Sequence, residues 1–86
     1  MSATTTRAEI FNTVKRIAVQ KLDVSEADVH AESAFVQDLG ADSIALMELV
    51  LEFEKDFEMT VADEDTDQIK TVQNAVDYIA ARLNVA

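Results

Sequence analysis

The sequence predicts an all-α fold, a four-helix bundle with three main helices and one short third helix. The 86 residues contain no proline and a single glycine, Gly40, so the residues that tight β-hairpin turns require are scarce. Apolar residues recur at helical spacing in three separate segments. The length suits one small domain, residues 1–86, in which we expect residues 1–5 to form a flexible tail.

The first predicted helix begins after Thr6 and extends to Leu22. The run Thr6-Arg7-Ala8-Glu9 has the form of a capping box, in which two side chains satisfy free N–H groups at a helix start. A long connection follows over residues 23–40. Three of its apolar residues are expected to hold it against the core: Phe35, Val36 and Leu39.

The second predicted helix runs from about Asp42 to Phe57. Asp42 is a favoured N-cap residue, which puts Ser43 in the first turn. The apolar residues on one side form a wide core stripe: Leu46, Leu49, Val50, Phe53 and Phe57. Three others fall outside that stripe and are expected to remain exposed among acidic residues: Ile44, Met47 and Leu51.

The C-terminal part is predicted to form a short helix or acidic loop and then a last helix. Residues 63–67 are acidic apart from one threonine, and the segment ends near Ile69. Thr71 is placed to cap the last helix. The core face of that helix is predicted to comprise Val72, Ala75, Val76, Ile79 and Leu83.

Composition excludes several kinds of partner. Seventeen acidic residues against seven basic ones give a net charge of -10, which repels nucleic acid and anionic lipid and favours basic protein surfaces. The chain has no cysteine, so thiol chemistry requires a sulfur from outside it. No apolar run is long enough for membrane insertion. We therefore expect a cytoplasmic monomer without thiolate metal ligands.

Ser43 is interpreted as an attachment point rather than a nucleophile. A nucleophilic serine needs a neighbouring base and an orienting group. The only histidine, His30, lies thirteen residues upstream in a polar loop. A nucleophile elbow would also require strands and a second glycine. No catalytic residue is therefore expected.

The run Asp38-Leu39-Gly40-Ala41-Asp42-Ser43 resembles the attachment motif of the acyl carrier proteins. The resemblance extends from Val29 to Ile79 and includes Phe35-Val36, Glu48-Leu49-Val50, Thr71-Val72-Gln73 and Asp77-Tyr78-Ile79. It implies a non-catalytic carrier. Ser43 would receive a 4'-phosphopantetheine arm from coenzyme A through a Mg²⁺-dependent transferase, and the arm would carry acyl or polyketide chains as thioesters.

The resemblance also implies a partner face and an acyl pocket. The implied partners are a phosphopantetheinyl transferase, a ketosynthase, an acyltransferase and reductase or dehydratase enzymes, all through basic patches. The partner face would comprise Asp38, Asp42, Ile44, Met47, Glu48, Leu51 and Glu54. The acyl pocket would comprise Phe35, Leu46, Leu49, Phe53, Ile69 and Tyr78. Because Leu46 and Phe53 are bulky, we expect a small or partly filled cavity that sequesters long chains weakly.

Three alternatives stay open at this stage. The first concerns the pathway, because residues 43–48 resemble carriers of iterative polyketide systems, whereas residues 71–79 resemble those of fatty acid synthesis. A peptidyl carrier is the second alternative, although such domains usually have glycine and histidine where this chain has Ala41-Asp42.

The third alternative is an acidic helical adaptor or divalent-cation-binding protein with an unmodified serine. Asp63, Asp65 and Asp67 match the first three ligand positions of a calcium loop and suggest at most a weak divalent site. Gln68 and Asn74 stand where such a loop needs glycine and glutamate. No other metal site is expected.

Overall fold

The computed structural model describes residues 6–85, which form three α-helices and two 3-10 segments. Helix α1 spans Arg7–Leu22, α2 spans Ser43–Phe57 and α3 spans Val72–Arg82. A 3-10 turn covers Glu26–Asp28, and a longer one, the acidic 3-10 helix, covers Asp63–Gln68. The all-α prediction with a short third helix is confirmed, and the expected tail over residues 1–5 lies outside the described residues. No helix in residues 6–85 is both long and apolar enough to cross a bilayer.

Each α-helix begins at its predicted cap. The Thr6 hydroxyl accepts a hydrogen bond from the Glu9 N–H at 3.1 Å, and the Glu9 carboxylate accepts one from the Thr6 N–H at 3.2 Å. Thr71 and Asn74 form the same reciprocal pair at the start of α3, at 3.0 and 3.1 Å. These bonds satisfy N–H groups that have no partner within the helix, and each cap contributes about 1 kcal/mol.

The ends of α1 and α2 form without glycine. Asp23 and Glu58 adopt left-handed backbone angles, with φ of 55° and 52°. Their N–H groups donate to the carbonyls of Val19 and Glu54. Each helix therefore closes its last turn before the chain changes direction.

The core lies between α1 and its two partners, α2 and α3, with the connecting segments packed around it. Phe35 is fully buried, and Leu39 is 5% exposed. Val36 is 54% exposed, so the prediction that it packs into the core is wrong. The chain turns directly after Phe35, and this turn directs Val36 outwards while Phe35 fills the core position.

Ion pairs connect α1 to α2 along one side. Arg16 pairs with Asp56 at 3.4 Å, and Lys21 pairs with Glu52 at 3.8 Å. Pairs this exposed contribute only about 0.2–1 kcal/mol each. Their main consequence is for charge, because they neutralise the acids on the α1 side of α2.

The acidic 3-10 helix is attached to α3 by a polar cluster. None of the helix residues is buried. The Tyr78 hydroxyl donates a 2.7 Å hydrogen bond to the Asp65 carboxylate, and the Arg82 guanidinium donates a 2.7 Å bond to the Tyr78 oxygen. Arg82 also lies 3.6 Å from the Asp65 carboxylate and 5.0 Å from the centre of the Tyr78 ring. We call Asp65, Tyr78 and Arg82 the Tyr78 cluster.

The weak divalent site expected at Asp63, Asp65 and Asp67 is not formed. Within residues 6–85, no three carboxylate or imidazole side chains lie close enough together to hold a metal ion. A 3-10 helix has three residues per turn, so residues at i, i+2 and i+4 point in three directions about 120° apart. In addition, the Asp65 carboxylate is engaged by Tyr78 and Arg82.

The Tyr78 cluster predicts an unusual tyrosine titration. Burial raises the pKa of the Tyr78 hydroxyl above its ordinary value of 10.0, and the hydrogen bond to Asp65 raises this pKa further, against opposing effects of the Ala62 backbone and the Arg82 charge. A raised folded-state pKa stabilises the fold below about pH 10, and this contribution is lost as the pH rises through the folded-state value.

The chain has one tyrosine and no tryptophan, so ultraviolet absorbance titration reports Tyr78 alone. We expect its midpoint to fall towards the ordinary value in Asp65→Asn, because the negative charge beside the hydroxyl is lost. The matched control Asp63→Asn should titrate like the wild type. Identical midpoints in the wild type and Asp65→Asn would contradict the role given to Asp65.

Candidate functional site

Ser43 follows a loop whose own residues are hydrogen-bonded to one another. We define the serine loop as residues 31–42. The Asp38 carboxylate accepts a 2.7 Å hydrogen bond from the Ala34 N–H, and the N–H groups of Asp38 and Leu39 both donate to the Ala34 carbonyl. Asp38, predicted to lie on the partner face, is exposed and also closes this turn.

Gly40 turns the serine loop into α2. Its φ of +77° is a left-handed angle that side chains disfavour, although a Cβ at this position would meet nothing within 4 Å. The Ala41 N–H then donates to the Phe35 carbonyl at 2.8 Å. Asp42 caps α2 by accepting a 2.8 Å hydrogen bond from the Ala45 N–H. Glycine is therefore needed here for its backbone angle rather than for space.

The serine loop is also paired with the start of α3. Residues 31–35 lie antiparallel to residues 70–73, with a bridge between Ala34 and Thr71. The hydrogen bonds run from Phe35 N–H to the Lys70 carbonyl (2.9 Å), from Val72 N–H to the Ser33 carbonyl (3.0 Å) and from Gln73 N–H to the Ala31 carbonyl (2.9 Å). This pairing fixes the approach of the loop to Ser43.

Ser43 itself is exposed in the first turn of α2. The cap bond is made by Asp42, so the Ser43 hydroxyl is not used to begin the helix. His30 is exposed, and its backbone N–H donates to the hydroxyl of Ser33 at 2.9 Å. The only histidine thus lies just before the serine loop, whereas Ser43 follows it.

An apolar stripe follows Ser43 along α2. Ile44, Met47 and Leu51 are 67%, 59% and 60% exposed, which confirms the exposure predicted for them. Their spacing of three and four residues puts them on one face of the helix. Glu48, also exposed, lies between them in sequence. Exposed large apolar side chains that form a contiguous patch commonly mark a contact surface.

Glu54 has a structural contact that the sequence did not reveal. Its side chain is half-buried, and its carboxylate accepts a 2.8 Å hydrogen bond from the Val61 N–H. Glu54 therefore holds the connection between α2 and the acidic 3-10 helix. This engagement limits what the carboxylate offers to a partner protein.

A cavity of about 460 Å³ opens between the serine loop and the acidic 3-10 helix. Leu46, one helical turn beyond Ser43, forms part of it and places it on the Ser43 side of α2. The cavity combines apolar side chains with amide, hydroxyl and charged groups. Its lining residues are Ala34, Val36, Gln37, Leu46, Thr66, Asp67, Ile69, Lys70 and Thr71.

The residues predicted for an acyl pocket are divided in the structure. Leu46 and Ile69 line the cavity. The other four do not: Phe35, Leu49 and Phe53 are at most 1% exposed within the packed core, and Tyr78 lies in a separate cleft with Gln68, Asn74 and Asp77. The other seven lining residues, among them Val36, Gln37 and Lys70, were not predicted for the pocket. Of these residues, only Val36 could have been assigned to the pocket from the sequence, because it is an apolar residue directly after a core aromatic.

Known proteins are similar to this chain in both sequence and fold. A family model described as the phosphopantetheine attachment site matches residues 12–79. The chain is 42% identical over 80 residues to the acyl carrier protein of Petrotoga mobilis, which covers 93% of this chain and 94% of that protein. A solved structure of the acyl carrier protein from Enterococcus faecalis matches with a TM-score of 0.77 and 40% identity, over 91% of this chain and 99% of that one.

These similarities extend over most of each chain, so they concern the whole domain and not an isolated motif. Both relatives are acyl carrier proteins, which decides against the peptidyl-carrier and adaptor alternatives. The chain therefore belongs to the acyl carrier proteins, a family of non-catalytic carriers with a phosphopantetheine attachment site.

Proposed function

We propose that Ser43 is the residue that receives the 4'-phosphopantetheine arm. The observation that carries this proposal is the different use of the three serines in residues 6–85. The Ser25 hydroxyl caps the 3-10 turn by accepting from the Ala27 N–H. Ser33 is 6% exposed, and its hydroxyl hydrogen-bonds to His30 and Asp28. All three serines lie within the span matched by the family model, but only Ser43 is exposed at a helix start whose cap bond another residue, Asp42, makes.

The surroundings of Ser43 fit a phosphodiester. Free N–H groups and the positive end of the helix dipole favour negative charge at the start of α2. The hydrogen-bonded serine loop holds the hydroxyl at the surface, where a transferase reaches it. Asp42 adds a negative charge there, but its carboxylate is held by the Ala45 N–H. The bound arm supplies a terminal thiol, which this cysteine-free chain lacks, for carrying acyl groups as thioesters.

The attachment is tested by incubating the protein with a broad-specificity phosphopantetheinyl transferase, Mg²⁺ and coenzyme A, and then measuring its mass. In this transfer, the Ser43 oxygen forms a bond to the pantetheine phosphorus, and adenosine 3',5'-bisphosphate leaves. We expect the wild type to gain one phosphopantetheinyl group and Ser43→Ala to gain none.

Ser25→Ala is the matched control, because it removes another exposed serine hydroxyl, and it should gain the group like the wild type. An equal mass gain in Ser43→Ala, or no gain in the wild type, would overturn the assignment.

The proposed docking surface is the exposed stripe of α2. Ile44, Met47 and Leu51 supply apolar contacts, and Glu48 supplies negative charge beside them. On the α1 side of α2, Glu52 and Asp56 are paired with Lys21 and Arg16. Within residues 6–85, Glu48 and Asp42 form no ion pair, so their charges are available to partners.

Synthase enzymes with basic surfaces complement this arrangement. The specific partners that we propose are the phosphopantetheinyl transferase, a ketosynthase, an acyltransferase and reductase or dehydratase enzymes. The net charge of -10 supports electrostatic attraction to all of them. The protein is proposed to act as one domain and as a monomer. A cytoplasmic location is consistent with a chain that has no cysteine.

Charge reversal within the stripe tests the docking surface. We expect Glu48→Lys to lower kcat/KM of the transferase by about 10-fold at low salt, because attraction becomes repulsion at the contact. The loss should shrink as salt screens the charges. Glu58→Lys is the control, since it makes the same charge change at the far end of α2, roughly 20 Å along the helix from Ser43. Equal losses in both variants would argue against a local docking surface.

The cavity beside Ser43 is the proposed site for part of the acyl chain. Val36, Leu46 and Ile69 suit a hydrocarbon, whereas Gln37 and Lys70 suit oxygen atoms. Its volume of about 460 Å³ lies in the lower half of the usual range for small-molecule pockets. The closed core around Phe53 supports the expectation that long chains are sequestered weakly. Short or oxygen-bearing acyl groups, of fatty acid or polyketide type, are the proposed cargo.

A further inference from the structure

We infer that the Tyr78 cluster determines which acyl groups the cavity accepts, because it fixes the position of one cavity wall. This inference rests on the proposed role of the cavity as the acyl site. Thr66 and Asp67 of the acidic 3-10 helix line the cavity, and Asp65 directly precedes them. The cluster residues themselves do not line it. They are therefore positioning residues, which act through the wall.

The two walls of the cavity are held in different ways. The serine-loop wall, at Val36 and Gln37, is continuous with the antiparallel pairing to residues 70–73 and with the buried Phe35. Backbone hydrogen bonds and core burial thus fix this wall. It does not depend on any single surface side chain.

The opposite wall has much less support. The acidic 3-10 helix buries none of its residues, and its N-cap Ala62 makes no side-chain hydrogen bond. Hydrogen bonds in 3-10 geometry are also poorer than those of an α-helix. Its buried anchors lie at its two ends, where Val61 is 6% exposed and Ile69 is 1% exposed.

The Tyr78 cluster supplies the attachment between those anchors. The Asp65 carboxylate receives the Tyr78 hydroxyl at 2.7 Å and lies 3.6 Å from the Arg82 guanidinium. Both partners project from α3, which is packed against α1 in the core. Hydrogen bonds to a charged group are stronger than neutral ones. Asp65 is thereby drawn towards α3, and the adjacent Thr66 and Asp67 are held at the cavity.

Release of Asp65 should therefore widen the cavity. With the cluster intact, the wall stays close to Leu46 and Val36, and the cavity accepts short chains. Without the Asp65 carboxylate, the segment between Val61 and Ile69 is held only at its ends, and longer chains can enter. The cluster thus sets an upper limit on chain length rather than contacting the chain.

The first test measures amide hydrogen exchange in the protein without an acyl group. Asp65→Ala is compared with Asp63→Ala, which removes the same charge from the same first turn but leaves the cluster intact. The amide of residue 65 donates to the Ala62 carbonyl at 2.9 Å, and that of Ile69 donates to the Thr66 carbonyl at 3.1 Å, so these two bonds report on the two ends of the acidic 3-10 helix. We expect both amides to exchange about 5- to 10-fold faster in Asp65→Ala than in the control. Exchange at Val14 and Ile17 in α1 should not change.

Equal exchange rates at residues 65 and 69 in the two variants would overturn the inference. Equal acceleration throughout α1 would overturn it as well, because the cluster would then stabilise the whole fold and not one wall. Tyr78→Phe provides a second variant that keeps the ring and removes only the hydroxyl. It should accelerate the same two amides.

The second test loads the phosphopantetheinylated protein with butanoyl or decanoyl groups and follows the methyl NMR signals of Leu46 and Ile69. In the wild type and Asp63→Ala, we expect butanoyl to shift both signals and decanoyl to shift them less. In Asp65→Ala, decanoyl should shift them at least as much as butanoyl. An unchanged preference in Asp65→Ala would refute the role of the cluster while leaving the cavity assignment intact. No shift with either chain in the wild type would refute the cavity assignment itself.

Discussion

The pairing of residues 31–35 with residues 70–73 is the interaction on which the rest of the structure depends. The first N–H groups of a helix have no partner inside it. In α3, those of Val72 and Gln73 are satisfied by carbonyls of the serine loop. The same pairing puts Phe35 into the core, and the Phe35 carbonyl then receives the Ala41 N–H just before the cap of α2. The position of Ser43 thus follows from the capping of a helix that begins almost thirty residues later.

The carrier function follows from how α2 divides its surface among three tasks. Leu49, Val50 and Phe53 face the core, and the acids towards α1 are neutralised by Arg16 and Lys21. The remaining face carries the apolar stripe and Glu48, which forms no ion pair with any residue of the range 6–85. In a small domain with a limited core, leaving three large apolar side chains in water forgoes burial worth about 1.5–3 kcal/mol for each. The proposed docking surface would account for this exposure.

The features that could be predicted from the sequence are those that depend on interactions between residues close together in the chain. Capping side chains act within three residues, so Thr6, Asp42 and Thr71 identified the three helix starts. Helical periodicity also identified the exposed stripe. The contact of Glu54 with Val61 and that of Tyr78 with Asp65 could not be foreseen, because they join residues seven and thirteen positions apart after the chain has turned. The divalent site was expected on the spacing of a calcium loop, and it is not formed because the chain makes a 3-10 helix there and Tyr78 and Arg82 engage the Asp65 carboxylate.

Amide hydrogen exchange at Phe35, Ala41 and Val72 tests most directly whether this pairing holds the serine loop in place. Their N–H groups donate to the Lys70, Phe35 and Ser33 carbonyls. If the pairing is as stable as the core, all three should exchange at similar rates, within about 10-fold of the α1 core amide of Val14. Exchange of Phe35 and Ala41 at the rate of an unstructured peptide, with Val14 still protected, would contradict a fixed presentation of Ser43.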